Sequence, residues 1–435
     1  MPRHKISNSD TSYALVCFDE DGVERSDDRD APGGRFSEKV IEEVGARPIT
    51  DIFIFGHGWK GDAQAAVAQY DNWIRALVNQ QTDWARMQAQ SGGFVPLFIG
   101  LHWPSLPWGD EEIGAGASFA TGGGSVAALV DLYCQRLGGS PAVRAALAVI
   151  FEEARTNAAA DALTDKARQA YLQLDKTLDL GENQLGGPPE ADREPFDPDA
   201  AVEASLDLGA DFGGQDLGGV ILSPLRQLSF WTMKKRARKV GEGGMHDVLK
   251  RLQNASANAR LHLVGHSFGC IVASSMLGGP AGAGLLVRPV DSCVLLQGAM
   301  SLWSFASNIP PAPGTAGYFS RVLVDGKVRG PMVSTISKFD TAVGRLYPVA
   351  AGVAGQVAFA GLPKYGAIGA FGIQGTKDTS FEKMLPADQG YRFENGRVYN
   401  LESSQFICKG GGLSGAHSDI CGPEVAHLIW QAALD

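Results

Sequence analysis

No stretch of the sequence approaches the roughly 18 consecutive apolar residues that a membrane-spanning helix needs. Residues 1–7, Met-Pro-Arg-His-Lys-Ile-Ser, lack the apolar centre of a secretory signal. The expectation is therefore a cytoplasmic protein, with export by a route without a cleavable signal left open. Basic charge is in short supply: 38 Lys and Arg stand against 48 Asp and Glu, for a net charge of −10. This excludes nucleic acid as a main partner, because binding phosphate needs a basic face. Cysteine is sparse. The six at 17, 134, 270, 293, 408 and 421 match no metal-ligand spacing. They read as free thiols of a reducing compartment, although a bridge between Cys408 and Cys421 stays open. Nucleotide-binding patterns are missing as well. The glycines at 114–124 do not make G-x-G-x-x-G after a strand, and Gly326-Lys327 lacks the Walker spacing. No cofactor and no metal is expected.

What is present is a soluble-domain composition, 44% hydrophobic and 20% charged over 435 residues. That length admits about three domains. An α/β fold also carries it as one domain, residues 1–435, with an insertion.

The most informative stretch is Ala259 to Cys270. Leu261, Leu263 and Val264 form a short apolar run of the buried parallel-strand kind. Gly265-His266-Ser267-Phe268-Gly269 follows at once, and residues 270–277 read as a helix. A G-x-S-x-G between strand and helix is a nucleophile elbow. The turn is so tight that the serine backbone is strained, and flanking glycines relieve the crowding. The hydroxyl of Ser267 is lifted clear of the chain, next to the free N–H groups of a helix start.

A second apolar run, Asp51 to Phe55, ends in Gly56-His57-Gly58-Trp59. Gly58 bares the backbone beside it, so the N–H of Trp59 can serve a developing oxyanion together with the N–H of Phe268. His57, Gly58, His266 and Trp103 are expected to line the substrate. For His57 and Gly58 an ordinary strand-to-helix turn is the alternative, and for His102 and Trp103 core packing.

A serine hydroxyl needs a base, and the base needs a carboxylate to fix its tautomer. The segment Gly330 to Asp340 reads as a strand ending in a carboxylate, and Gly410 to Ile420 as a flexible loop bearing His417. Ser267, Asp340 and His417 are the expected catalytic set. Asp340 has the rival role of capping the helix after it, with Asp325 as a weak substitute; His427 and His102 are the rival bases.

With these residues in view the chain resembles the α/β-hydrolase superfamily, in particular its serine esterases and lipases, over roughly 48–105 and 225–434. The order Ser…Asp…His matches that template. The resemblance implies a mostly parallel sheet flanked by helices and hydrolysis of a small-molecule or lipid-like carboxylic ester through an acyl-enzyme. Amidase, peptidase or thioesterase chemistry on the same triad is the alternative, and so is a non-catalytic module. Residues 110–224 depart from the simple pattern and read as a helical and loop insertion, a lid, with 181–220 as loop or partly disordered. Residues 230–240 read as a basic, solvated helix packed on the sheet, and Arg321 to Arg329 as a hairpin around Asp325-Gly326. The oligomeric state is not readable from the sequence.

Overall fold

In the computed structural model, residues 3–28, 30–59, 63–105, 125–157, 160–207, 219–347 and 361–434 are described. They form two compact units, one of Met1–Ser105, Arg236–Gly344 and Gly366–Asp435, the other of Leu106–Lys235 and Arg345–Tyr365.

The first unit holds a nine-stranded sheet. Its strands are β1 (Arg3–Lys5), β2 (Ser12–Cys17), β3 (Asp51–Gly56), β4 (Pro96–His102), β5 (Arg260–His266), β6 (Ser292–Leu296), β7 (Met332–Ile336), β8 (Thr379–Lys383) and β9 (Val398–Glu402). They are ordered β1-β2-β4-β3-β5-β6-β7-β9-β8, and only β1 runs antiparallel to its neighbour. The central strands are parallel and covered on both faces, which is why β3 (DIFIFG) and β6 (SCVLL) are buried at every position.

The helices of this unit include α1 (Phe36–Ala46), α2 (Ala63–Asn79) and α3 (Gln81–Gln88). In the second unit follow α4 (Val126–Leu137), α5 (Pro141–Thr156), α6 (Asp165–Leu178) and α7 (Pro198–Asp207). Then come α8 (Gly219–Val240), α9 (His246–Ala255), α10 (Gly269–Gly278), α11 (Ser320–Val324), α12 (Ile368–Phe371) and the closing α13 (Pro423–Leu434). On one face of the sheet the α13 residue Trp430 meets Phe53 edge to face at 5.1 Å, and its indole N–H donates to the Leu77 carbonyl at 3.0 Å. Aromatic packing of this kind closes the sheet against α2, α3 and α13.

The second unit differs from the expected insertion in three respects. It takes in most of α8 and a later segment, rather than 110–224 alone. Residues 190–193 are buried, and Arg193 pairs with Asp175 at 2.9 Å, so this part of the stretch expected to be loop is packed; 208–218 lie outside the described residues. Helix α8 is not solvated either. Lys234 is fully buried, with its ammonium donating to the Tyr347 hydroxyl at 2.8 Å and lying 4.5 Å from the Trp231 ring. Burial pushes its pKa down to about 7, against the pull of Asp192 and Glu190. Of the five basic residues in this stretch only Lys239 is exposed. The glycines at 114–124 also lie outside the described residues.

The expected hairpin at 321–329 is instead α11 and the turn after it. Arg321 pairs with Asp325 four residues on at 3.1 Å, and Gly326, at φ +60°, ends the helix.

Candidate active site

Because β3, β4, β5, β6, β7 and β9 run parallel, their carboxyl ends share one edge of the sheet, where α/β folds place their sites. The chain leaves β3 into His57-Gly58-Trp59, β5 into Ser267, β7 toward Asp340 and β9 toward His417.

At the end of β5 the backbone turns directly into α10. Ser267 sits at φ +56°, the left-handed region that side chains avoid, at a cost of about 1–3 kcal/mol. The surroundings impose it. Its N–H donates to the Leu296 carbonyl at 3.1 Å, and its carbonyl accepts from Cys270 and Ala299 at 3.1 and 3.2 Å. The turn is feasible only without side chains beside it: a Cβ on Gly269 would collide with the Gly56 carbonyl, and one on Gly265 with the backbone of Gly269.

The hydroxyl of Ser267 lies 2.8 Å from Nε2 of His417, and Nδ1 of His417 lies 2.7 Å from Oδ2 of Asp340. Asp340 is a buried acceptor, so Nδ1 carries the hydrogen and donates to it. Nε2 is then the lone-pair nitrogen and accepts from Ser267. Strand β7 ends at Ile336, so Asp340 stands on the turn after it, not at the strand end. Its second oxygen, Oδ1, accepts the N–H of Val343 at 3.1 Å. The capping role and the histidine-holding role are thus not rivals; one carboxylate fills both.

The loop bearing His417 is clamped rather than free. Gly415 pairs antiparallel with Asp340, the Ala416 N–H donates to the Phe339 carbonyl at 2.8 Å, and a Cβ on Gly415 would strike that carbonyl. Its glycine is required by close approach at φ +55°.

On the other side, Gly58 packs onto the elbow so tightly that a Cβ there would lie 2.7 Å from Cβ of Ser267. The ring of Trp59 stacks on Phe268 at 5.7 Å. His57 is buried behind this loop. Its Nδ1–H donates to the Gly58 carbonyl at 2.8 Å, which orients the peptide unit that also carries the Trp59 N–H. Its Nε2 accepts from Nδ1–H of His102 at 3.1 Å, and its backbone N–H donates to the Tyr70 hydroxyl at 2.9 Å. Burial, then the neighbouring His102, push the His57 pKa down to about 3, so the ring stays neutral. Trp103 is buried and donates its indole N–H to the His57 carbonyl at 3.2 Å. His266 is buried as well, with Nε2 2.8 Å from the His417 carbonyl.

Three of the four residues expected to line a substrate, His57, His266 and Trp103, therefore point into the protein and brace the loops; Gly58 is at the elbow itself. His427 packs within α13 against Asp83, at 2.6 Å. Sequence reasoning missed Gln69 and Tyr70 on α2, both of which touch the bracing histidines. Their only sequence signal is a position in the helix after the His57-Gly58 loop. Cys408 and Cys421 are free thiols. Among the described residues no group of three His, Cys, Asp or Glu is placed to hold a metal, and no helix is long and apolar enough to cross a membrane.

The chain matches no family model, no curated protein and no solved structure. The functional reading accordingly rests on the site itself.

Proposed function

We propose that the protein is a serine hydrolase of the α/β-hydrolase type that cleaves carboxylic esters. The observation that carries this reading is the line Ser267–His417–Asp340, with bonds of 2.8 and 2.7 Å, ending on a serine held at φ +56° at a helix start. A buried structural serine needs neither the strain nor the exposure to a helix N-terminus.

In the reaction, Ser267 Oγ attacks the acyl carbon while its proton passes to Nε2 of His417. Asp340 accepts from Nδ1–H throughout and steadies the imidazolium. The carbonyl π pair moves onto oxygen, and the N–H groups of Trp59 and Phe268 hold that oxyanion. Collapse expels the alcohol oxygen, which takes the proton from His417. Water then adds to the acyl-enzyme, gives its proton to His417 and releases the acid, and Ser267 regains its hydrogen.

A fluorophosphonate probe tests this. Labelling at Ser267, lost in Ser267→Ala and His417→Ala, supports the reading; equal labelling of all three proteins overturns it. Matched p-nitrophenyl esters, thioesters and anilides then settle which acyl bond is cut.

A further inference from the structure

The residue before the nucleophile brings a second imidazole to the site. His266 ends β5 and is 5% exposed. Its Nε2 is 2.8 Å from the His417 carbonyl oxygen, and its Nδ1 is 3.3 Å from Nε2 of Gln69. A carbonyl only accepts, so Nε2 carries the hydrogen and Nδ1 is the lone pair that accepts from the Gln69 amide. The ring lies 4.9 Å from the His417 ring and stands edge-on to Trp73 at 6.3 Å. It also backs the Gly58 loop: a Cβ on Gly58 would sit 3.3 Å from His266 Nδ1. One side chain thus touches the histidine loop and the Trp59 loop while covalently adjacent to Ser267.

We propose that His266 is a positioning residue: its Nε2–H ties the His417 backbone to the strand that carries Ser267, and Gln69 fixes the tautomer that makes this donation. The activity readouts below rest on the hydrolase reading; the structural readout does not. His417 stands on a glycine-rich loop, and a bond from its own carbonyl to β5 sets its distance from the elbow directly. Neutrality of His266 is part of the device. A charged ring 4.9 Å away would oppose the imidazolium formed when His417 takes the Ser267 proton. Burial, and after it the His417 ring, push the His266 pKa down to about 3. Gln69 suits this role because its amide donates to Nδ1. A carboxylate in its place would accept from a protonated Nδ1 and favour the charged ring.

The experiment compares wild type with His266→Phe, His266→Gln, Gln69→Leu and Gln69→Glu in the full chain. His266→Phe keeps a planar ring but has no donor, and its rate of labelling at Ser267 should fall about 10- to 100-fold, in kcat rather than KM for a good ester substrate. His266→Gln retains an N–H and should regain most of that rate. Gln69→Glu should add an acid limb to the pH–rate profile that Gln69→Leu lacks, since only the former charges His266. The structural readout is the far-downfield proton of His417 Nδ1–H, assigned by its loss in Asp340→Ala. It should weaken or shift in His266→Phe and persist in His266→Gln. Wild-type rate and an unmoved downfield proton in folded His266→Phe overturn the proposal, as does a rate loss in His266→Phe that His266→Gln shares in full. If the probe fails to label wild-type Ser267, the hydrolase reading falls on its own, and the downfield proton alone decides for or against His266.

Discussion

Ser292, His262 and Asp51 repeat, near the amino ends of β6, β5 and β3, the residue types that Ser267, His417 and Asp340 present at the opposite edge. His262 lies 2.9 Å from the Ser292 hydroxyl and 3.2 Å from Asp51, and all three are buried. Burial opposes the Asp51 charge, yet His262, Thr50 and Arg260 together hold its carboxyl below its usual value. Composition alone does not distinguish the two lines, although His262 turns Nδ1 to its serine and Nε2 to its carboxylate, the reverse of His417. The backbone does: Ser292 is an ordinary strand residue, whereas Ser267 is strained at the start of α10. The Ser292 line is accordingly read as structural, and the Ser267 line is the one to which the proposed function assigns the chemistry. His262→Ala should lower the free energy of unfolding by about 1–3 kcal/mol in a urea titration, because it removes the imidazole partner of buried Ser292 and one of three partners of Asp51, while Ser267 still labels. Asp340→Asn should show the reverse pattern. Its amide oxygen can still cap Val343, so folding persists, but the tautomer of His417 is no longer held, and ester turnover should fall about 10⁴-fold.

At the scale of elements, the site is two clamps closing on one elbow. The Gly58 loop presses on Ser267 from β3, and the Gly415 strand-like segment pairs with Asp340 and delivers His417. Gly415→Ala should therefore cut the Ser267 labelling rate strongly and cost about 1 kcal/mol or more of stability, since a Cβ there would strike the Phe339 carbonyl and Thr341 at a left-handed φ. Equal rates in both proteins would remove the clamp from the account. These elements were unequally legible beforehand. Strands β3, β4, β5 and β6 are buried on both faces, so they appear in the sequence as unbroken apolar runs, and each run ends at a loop of the site. Ser267 could be picked out because it follows such a run, Asp340 because it ends a segment that reads as a strand, and His417 because it stands in a glycine-rich loop. Strand β8 (TSFEK) lies at the sheet edge with three of its five residues exposed, and no apolar pattern marks it. Asp325-Gly326 has the composition of a hairpin turn, but the Arg321–Asp325 pair makes it a helix end. The inward roles of His57, His266 and Trp103 depend on partners 13 to 197 residues away, such as Tyr70, His417 and Gln69, and no local signal reports those.

Over the whole molecule, the two neutral histidines that brace the site make the fold sensitive to acid. His57 and His266 both have folded-state pKa values near 3, chiefly from burial, against about 6.5 in an unfolded chain. Below about pH 6.5 the unfolded chain takes up a proton on each ring that the folded chain refuses until about pH 3, so unfolding binds protons. Stability from this source is complete above the unfolded value and is lost as pH falls through the window from 6.5 to 3. Each ring contributes a slope of about 1.4 kcal/mol per pH unit well inside that window, and the pair about 3. At that slope a protein with about 5 kcal/mol of total stability should begin to unfold between about pH 5 and 4, around the intrinsic carboxylate range. Denaturant midpoints measured at pH 7, 6 and 5 should fall progressively more steeply with each step. In His266→Gln and in His57→Gln, each of which removes one titrating ring, the loss between pH 6 and 5 should be reduced by about 1 kcal/mol. The two variants should behave alike, because the rings sit in the same burial regime although they brace different loops. Unchanged slopes in both would mean that the rings take up protons in the folded protein as readily as in the unfolded chain, and the hydrogen bonds accepted by His57 Nε2 and His266 Nδ1 would have to be reversed.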